Sequence, residues 1–203
     1  MLLESISIYP DDGNTPSNLL VALHGWGANF NDLAGLVHKM NLSGYHFMFP
    51  NAPFSYPHNP DGRAWYNLQD PNLGGIIESR QLLTHWLLSL EATTGIPLHR
   101  TVMLGFSQGG AMTLDVGLTL PLGALCSISG FLHSQPSKGN QSPTLMIHGQ
   151  QDDVVPLSEA HRAKDELEKL EVPVTYREFK EMGHDIPLEA IAAIGEFLKG
   201  LTF

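Results

Sequence analysis

The sequence predicts an α/β fold, with a mostly parallel central sheet and helices on both of its faces. Three observations carry this reading. Strand-like and helix-like stretches alternate from one end of the 203-residue chain to the other. Some strand-like runs, such as Leu19-Leu20-Val21-Ala22-Leu23, are apolar at every position, as strands covered on both faces must be. No linker, repeat or low-complexity tract interrupts the alternation, so residues 1–203 read as a single domain.

Taken in order, residues 3–8 alternate well enough for an edge strand, and Asp11-Asp12-Gly13-Asn14 then turns the chain. The apolar run at 19–23 is the first interior strand. A helix is expected over 31–40, with Leu33, Leu36, Val37 and Met40 on one face. Residues 45–49 form the next strand, stopped by Pro50. The segment 51–74 breaks the rhythm: prolines, glycines and asparagines separate Phe54, Tyr56, Trp65 and Tyr66, which reads as a long ordered loop with a functional role. Helix returns over 75–93, with Ile76, Leu83, Trp86, Leu87 and Leu90 at helical spacing. Strands at 100–105, 123–129 and 143–148 follow, with a helix at 108–118 between the first two. Leu157, Ala160, Ala163, Leu167 and Leu170 mark an amphipathic helix, and 174–179 is the last strand. The closing helix spans 187–201, with Leu188, Ile191, Ile194 and Leu198 facing in and Pro187 suited to its first turn.

A formal net charge of -10, with no Lys/Arg cluster, argues against nucleic acid and against an anionic membrane surface as partners. No run approaches the roughly 20 apolar residues needed to span a bilayer, and no basic start followed by an apolar stretch marks a signal peptide. Cys126 is the single cysteine, so no internal disulfide can form; its apolar setting suits an inert buried thiol, and a cytoplasmic location is expected. The histidines offer no convincing metal-ligand set.

The sharpest chemical signal is Gly105-Phe106-Ser107-Gln108-Gly109-Gly110, directly after a buried-strand run and directly before a helix. A serine hydroxyl is a poor nucleophile unless it is exposed beside a base. A G-x-S-x-G corner provides the exposure, because its glycines let strand and helix crowd together. A second glycine-flanked loop, His24-Gly25-Trp26-Gly27, follows the strand at 19–23. It is placed to offer the Trp26 N–H, alongside that of Gln108, to a developing oxyanion. His24 fits the organising of that loop by hydrogen bonding better than the role of base. Where a chain carries such an elbow, an acid and then a histidine follow in sequence. Asp152 and Asp153 sit just past the strand at 143–148, and spacing favours Asp152 without removing Asp153. His184, in Met182-Gly183-His184, lies between the last strand and the closing helix.

The segments LHGWGAN at 23–29, FPNAP at 49–53, RAWYN at 63–67, GFSQGGAM at 105–112, HGQQDDVVP at 148–156 and MGH at 182–184 together resemble the phospholipase/carboxylesterase family of small α/β-hydrolases, which includes bacterial carboxylesterases and acyl-protein thioesterases. The resemblance covers nearly the whole chain. It implies an α/β-hydrolase fold with Ser107 as nucleophile, Asp152 and His184 as its partners, and the Trp26 and Gln108 amides as oxyanion hole. It is also what selects Asp152 over Asp153. Two departures stand out: Asn67 occupies a position where the family often has an acid, and the segment 69–75 looks shorter than usual.

The expected activity is cleavage of a small-molecule carboxylic ester, of short to medium acyl length, through an acyl-enzyme and without a cofactor. The segment 130–142 is too short for a cap domain, so the site should be open and shallow. The aromatics of 51–74 would roof it, with Phe54, Trp65, Tyr66 and Leu73 as substrate-binding candidates. Thioesterase or lysophospholipase activity at the same residues is the alternative. A catalytically silent binding protein and a Cys126-dependent lactone hydrolase are weaker readings, and a homodimer is left open.

Overall fold

The computed structural model describes residues 3–10, 13–136 and 139–203. Its strands are β1 (Ser5–Ile8), β2 (Asn18–Leu23), β3 (Tyr45–Pro50), β4 (Phe54–Ser55), β5 (Arg63–Ala64), β6 (Thr101–Phe106), β7 (Ala124–Ile128), β8 (Thr144–Gly149) and β9 (Val174–Phe179). The helices are α1 (Phe30–Ala34), α2 (Val37–Met40), α3 (Ile76–Thr94), α4 (Gln108–Gly117), α5 (Leu157–Lys169) and α6 (Leu188–Lys199). Seven strands form one sheet in the order β1-β3-β2-β6-β7-β8-β9; β1 pairs antiparallel to β3 and every other pair is parallel. This is the α/β-hydrolase architecture.

Strand pleating explains the unbroken apolar runs. On β2, Leu19, Val21 and Leu23 join a cluster with Leu83, Trp86 and Leu87 of α3, while Leu20 and Ala22 join one with Leu33 and Val37 on the opposite face. Successive side chains point to opposite faces, and both faces are roofed by helices, so neither set meets water. All residues of β7 and β8 are buried for the same reason.

The structure corrects three details of the element reading. The helix over 31–40 is two short helices, broken where Gly35 caps α1 by donating its N–H to Leu33 O. Glycine resists helix interiors, and the break leaves Leu33, Val37 and Met40 buried as the pattern requires. The segment 51–74 contains a two-stranded antiparallel unit, β4 with β5, pairing Phe54 with Ala64 and Ser55 with Arg63. Leu188 does not face in: it lies 64% exposed at the first position of α6, while Ile191, Ile194 and Leu198 are buried as expected. Between β7 and β8, the described residues 129–136 and 139–143 hold no helix or strand.

Candidate active site

Everything at the site hangs from the ends of parallel strands. Ser107 forms the corner between β6 and α4 with φ 54° and ψ -117°, in a left-handed region that non-glycine residues seldom enter. The corner is pinned by Ser107 N–H to Ile128 O (2.8 Å) and Ala111 N–H to Ser107 O (2.9 Å). The flanking glycines are there for space. A Cβ on Gly105 would sit 2.1 Å from Gly109 O, and one on Gly109 would sit 2.1 Å from Leu23 O. Only glycine lets β2, β6 and α4 close to this distance.

His184 and Asp152 meet Ser107 from the loops after β9 and β8. Ser107 Oγ lies 2.9 Å from His184 Nε2, and His184 Nδ1 lies 2.8 Å from Asp152 Oδ2 and 3.0 Å from Oδ1. A carboxylate can only accept, so Nδ1 carries the proton and Nε2 is free to accept from the serine hydroxyl. Asp152 Oδ1 also accepts from the N–H groups of Val154 (3.0 Å) and Val155 (2.8 Å). Burial opposes ionisation of this carboxyl, but the bonds from His184 and the Val155 amide outweigh it and hold its pKa below the ordinary value. The loops that carry the pair are tied by Gln151 N–H to Met182 O (3.0 Å). His148 on β8 bonds Val155 O through Nε2 (2.8 Å), bracing the acid-bearing turn from below. Asp153 lies exposed and points elsewhere; α5 takes no side-chain cap from it.

The glycine loop after β2 abuts the corner. A Cβ on Gly25 would lie 3.5 Å from Ser107 Cβ. The N–H groups of Gly27 and Ala28 are taken by Arg63 O (2.8 Å) and Gly25 O (3.3 Å). Gln108, as the first residue of α4, has an N–H without a helical carbonyl partner. His24 is the organiser that the sequence suggests: Nδ1–H donates to Gly25 O (2.7 Å), and Nε2 accepts from Ala52 N–H (3.1 Å). Burial pulls its pKa down to about 4, so it stays neutral and can play both parts.

The four substrate-binding candidates divide. Phe54 lines a cavity of about 310 Å³ with Trp26, Ser55, Pro57, Ala64, Asn67 and Gly74. Trp26 caps it by packing edge-on against Tyr56, with ring centroids 4.9 Å apart. Leu73 borders the adjoining cleft of about 580 Å³, which shares Gly74. Trp65 and Tyr66, in contrast, are fully enclosed and line neither cavity. They pack inward on α3 and α4, and they meet Gln108 through its side chain. Gln108 Oε1 accepts from Trp65 N–H (2.9 Å), and Gln108 Nε2 donates to Tyr66 O (2.8 Å). The sequence carries no signal for this clamp, since its partners lie more than 40 residues apart. Cys126 is buried in β7 and its thiol is pushed well above the ordinary range by burial, which removes it as a nucleophile.

A serine on a strand–helix corner, hydrogen-bonded to a histidine that is bonded in turn to a buried carboxylate, is the arrangement of a serine hydrolase of the α/β-hydrolase fold. The family model for phospholipase/carboxylesterase matches residues 8–202, and the chain belongs to that family. Acyl-protein thioesterase 1 of Schizosaccharomyces pombe is 31% identical over 219 residues, covering 96% of this chain and 95% of its own length. Its namesake in Gibberella zeae is 28% identical over 202 residues, covering 87% and 84%. Among solved structures, esterase PE8 superposes with a TM-score of 0.92 at 30% identity over all of both chains. Acyl-protein thioesterase 2 of Zea mays shares the fold, with a TM-score of 0.79 at 21% identity over 97% of each chain.

Proposed function

We propose that the protein hydrolyses carboxylic esters of short to medium acyl length by two-step acyl transfer. The observation that carries the reading is the unbroken line of hydrogen bonds from Ser107 through His184 to Asp152. His184 Nε2 takes the Ser107 proton as Oγ attacks the acyl carbon, and Asp152 holds the ring and stabilises its charged form. The Trp26 and Gln108 N–H groups receive the oxyanion. His184 then protonates the departing alkoxide, and a water, deprotonated by the same nitrogen, releases the acid and restores Ser107. Phe54 and Leu73, which line the two neighbouring cavities of about 310 and 580 Å³, are the residues we assign to the acyl group.

The names of the fungal relatives favour a second reading at the same residues, hydrolysis of a thioester. The chemistry differs only in the leaving group, a thiolate that needs less protonation. Among the described residues no helix is long and apolar enough to cross a membrane; the single, buried Cys126 suits a reducing compartment, and we place the action on small esters in the cytoplasm. A panel of p-nitrophenyl esters of increasing chain length, run beside acyl-CoA, tests the reading. Turnover should peak at short or medium chains and vanish in Ser107→Ala, together with labelling by a fluorophosphonate. Rates that climb steeply toward long, aggregated lipids would overturn the acyl-length assignment. Labelling that survives Ser107→Ala would overturn the nucleophile.

A further inference from the structure

The two amides assigned to the oxyanion hole stand far apart in sequence, one in the loop after β2 and one at the first residue of α4. Their value depends on a fixed mutual position, since donors must lie 2.7–3.1 Å from where the oxyanion forms. Trp65 touches both segments. Its indole Nε1–H donates to His24 O (3.0 Å), the carbonyl just before the Gly25–Trp26 peptide. Its backbone N–H donates to Gln108 Oε1 (2.9 Å) at the start of α4. Its carbonyl accepts from Ser79 Oγ of α3, which anchors the cross-tie to the longest helix. The indole is fully buried and lies against the His24 ring, with centroids 5.7 Å apart. Two of these ties are made by the backbone of residue 65; the indole adds the third, the bond to His24 O that joins the loop after β2 to the segment already held by Gln108 and Ser79.

We propose that Trp65 is a positioning residue that holds the Trp26 and Gln108 amides in register for the oxyanion, a role that rests on the hydrolase reading above. Trp65→Phe keeps an aromatic ring in the core and deletes only the tie to His24 O; the backbone bond to Gln108 stays. Its kcat on p-nitrophenyl acetate should fall about 10- to 100-fold, in the manner of a weakened oxyanion donor. KM should stay within about threefold, because the ground-state carbonyl leans little on the hole. Affinity for an alkyl boronic acid, whose tetrahedral adduct on Ser107 places an oxygen in the hole, should fall in parallel with kcat/KM. Wild-type kcat and boronate affinity in a folded Trp65→Phe protein, with only the melting temperature lowered, would reduce Trp65 to a core residue and overturn the proposal. Should that variant not fold, Ser79→Ala decides: a several-fold loss of kcat at unchanged KM supports the cross-tie, and an unchanged kcat overturns it. A wild-type protein that neither turns over the esters nor binds the boronate would instead sink the hydrolase reading.

Discussion

Asp152 and Asp153 are neighbours with the same chemistry, and their surroundings alone separate them. Asp152 is enclosed and receives N–H groups from His184, Val154 and Val155, whereas Asp153 stands in solvent. Replacing the enclosed carboxylate by an amide presents an N–H where His184 needs an acceptor, and so favours the wrong imidazole tautomer. Asp152→Asn should therefore lower kcat by about 10⁴-fold with the fold intact, while Asp153→Asn should leave it within about twofold, near-neutral as surface changes usually are. Initial rates on p-nitrophenyl acetate, with circular dichroism as the folding control, check both. Equal losses in the two variants would mean that the acid has been misassigned. The residue scale is also where sequence was least informative about Trp65 and Tyr66. An aromatic on an irregular segment looks the same in a one-dimensional pattern whether it roofs a groove or fills the floor beneath it. What separates the cases is a set of partners at 24, 79, 108 and 133, brought together only by the fold.

Elements follow a different rule. Strand β2, buried on both faces, announced itself through five consecutive apolar residues, and so did the glycine elbow through its spacing, because sterics leave few other residues that fit. The helix over 31–40 was legible in its buried face but not in its break. Periodicity records which side is covered and says little about where a hydrogen-bond ladder stops. Two glycine substitutions turn this into numbers. Gly109→Ala would put a Cβ 2.1 Å from Leu23 O and 2.6 Å from His24 O, both backbone atoms that cannot swing aside. It should destabilise by about 3 kcal/mol or more through forced overpacking, and remove activity with it. Gly35→Ala meets nothing within 4 Å, and its φ of -66° and ψ of -12° are already helical. It should stabilise by about 0.4–1 kcal/mol by narrowing the unfolded ensemble. Urea melts of the three proteins at neutral pH measure both effects. A neutral Gly109→Ala would contradict the close approach of β2 to α4.

At the scale of the whole molecule, buried neutral histidines make the fold sensitive to acid. His24 beneath the glycine loop and His133 against Tyr66 are both enclosed and uncharged, and burial lowers each from 6.5 to about 4. In the unfolded chain both titrate near the ordinary value, so below about pH 6.5 the unfolded state takes up protons that the native state refuses. Stability contributed by the two neutral rings is thus fully present above pH 6.5 and declines as pH falls toward 4. Asp152 works in a lower window. Its depressed pKa stabilises the fold above its unfolded value of 3.8 and is lost only as pH falls below that. Between pH 6.5 and 4 the histidines therefore dominate. Near pH 5 the two sites together correspond to nearly two protons, a slope of about 2.5 kcal/mol per pH unit, with each ring contributing about 3 kcal/mol by pH 4. Against a typical total of 5–15 kcal/mol, that is enough to bring a small enzyme to the edge of unfolding. Urea melts at pH 7, 6 and 5 read the slope directly, and His133→Gln, which retains a partner for the Tyr66 hydroxyl, should lower it. A stability that stays flat from pH 6.5 to 4.5 would show that these rings admit protons, or water, far more readily than their enclosure allows.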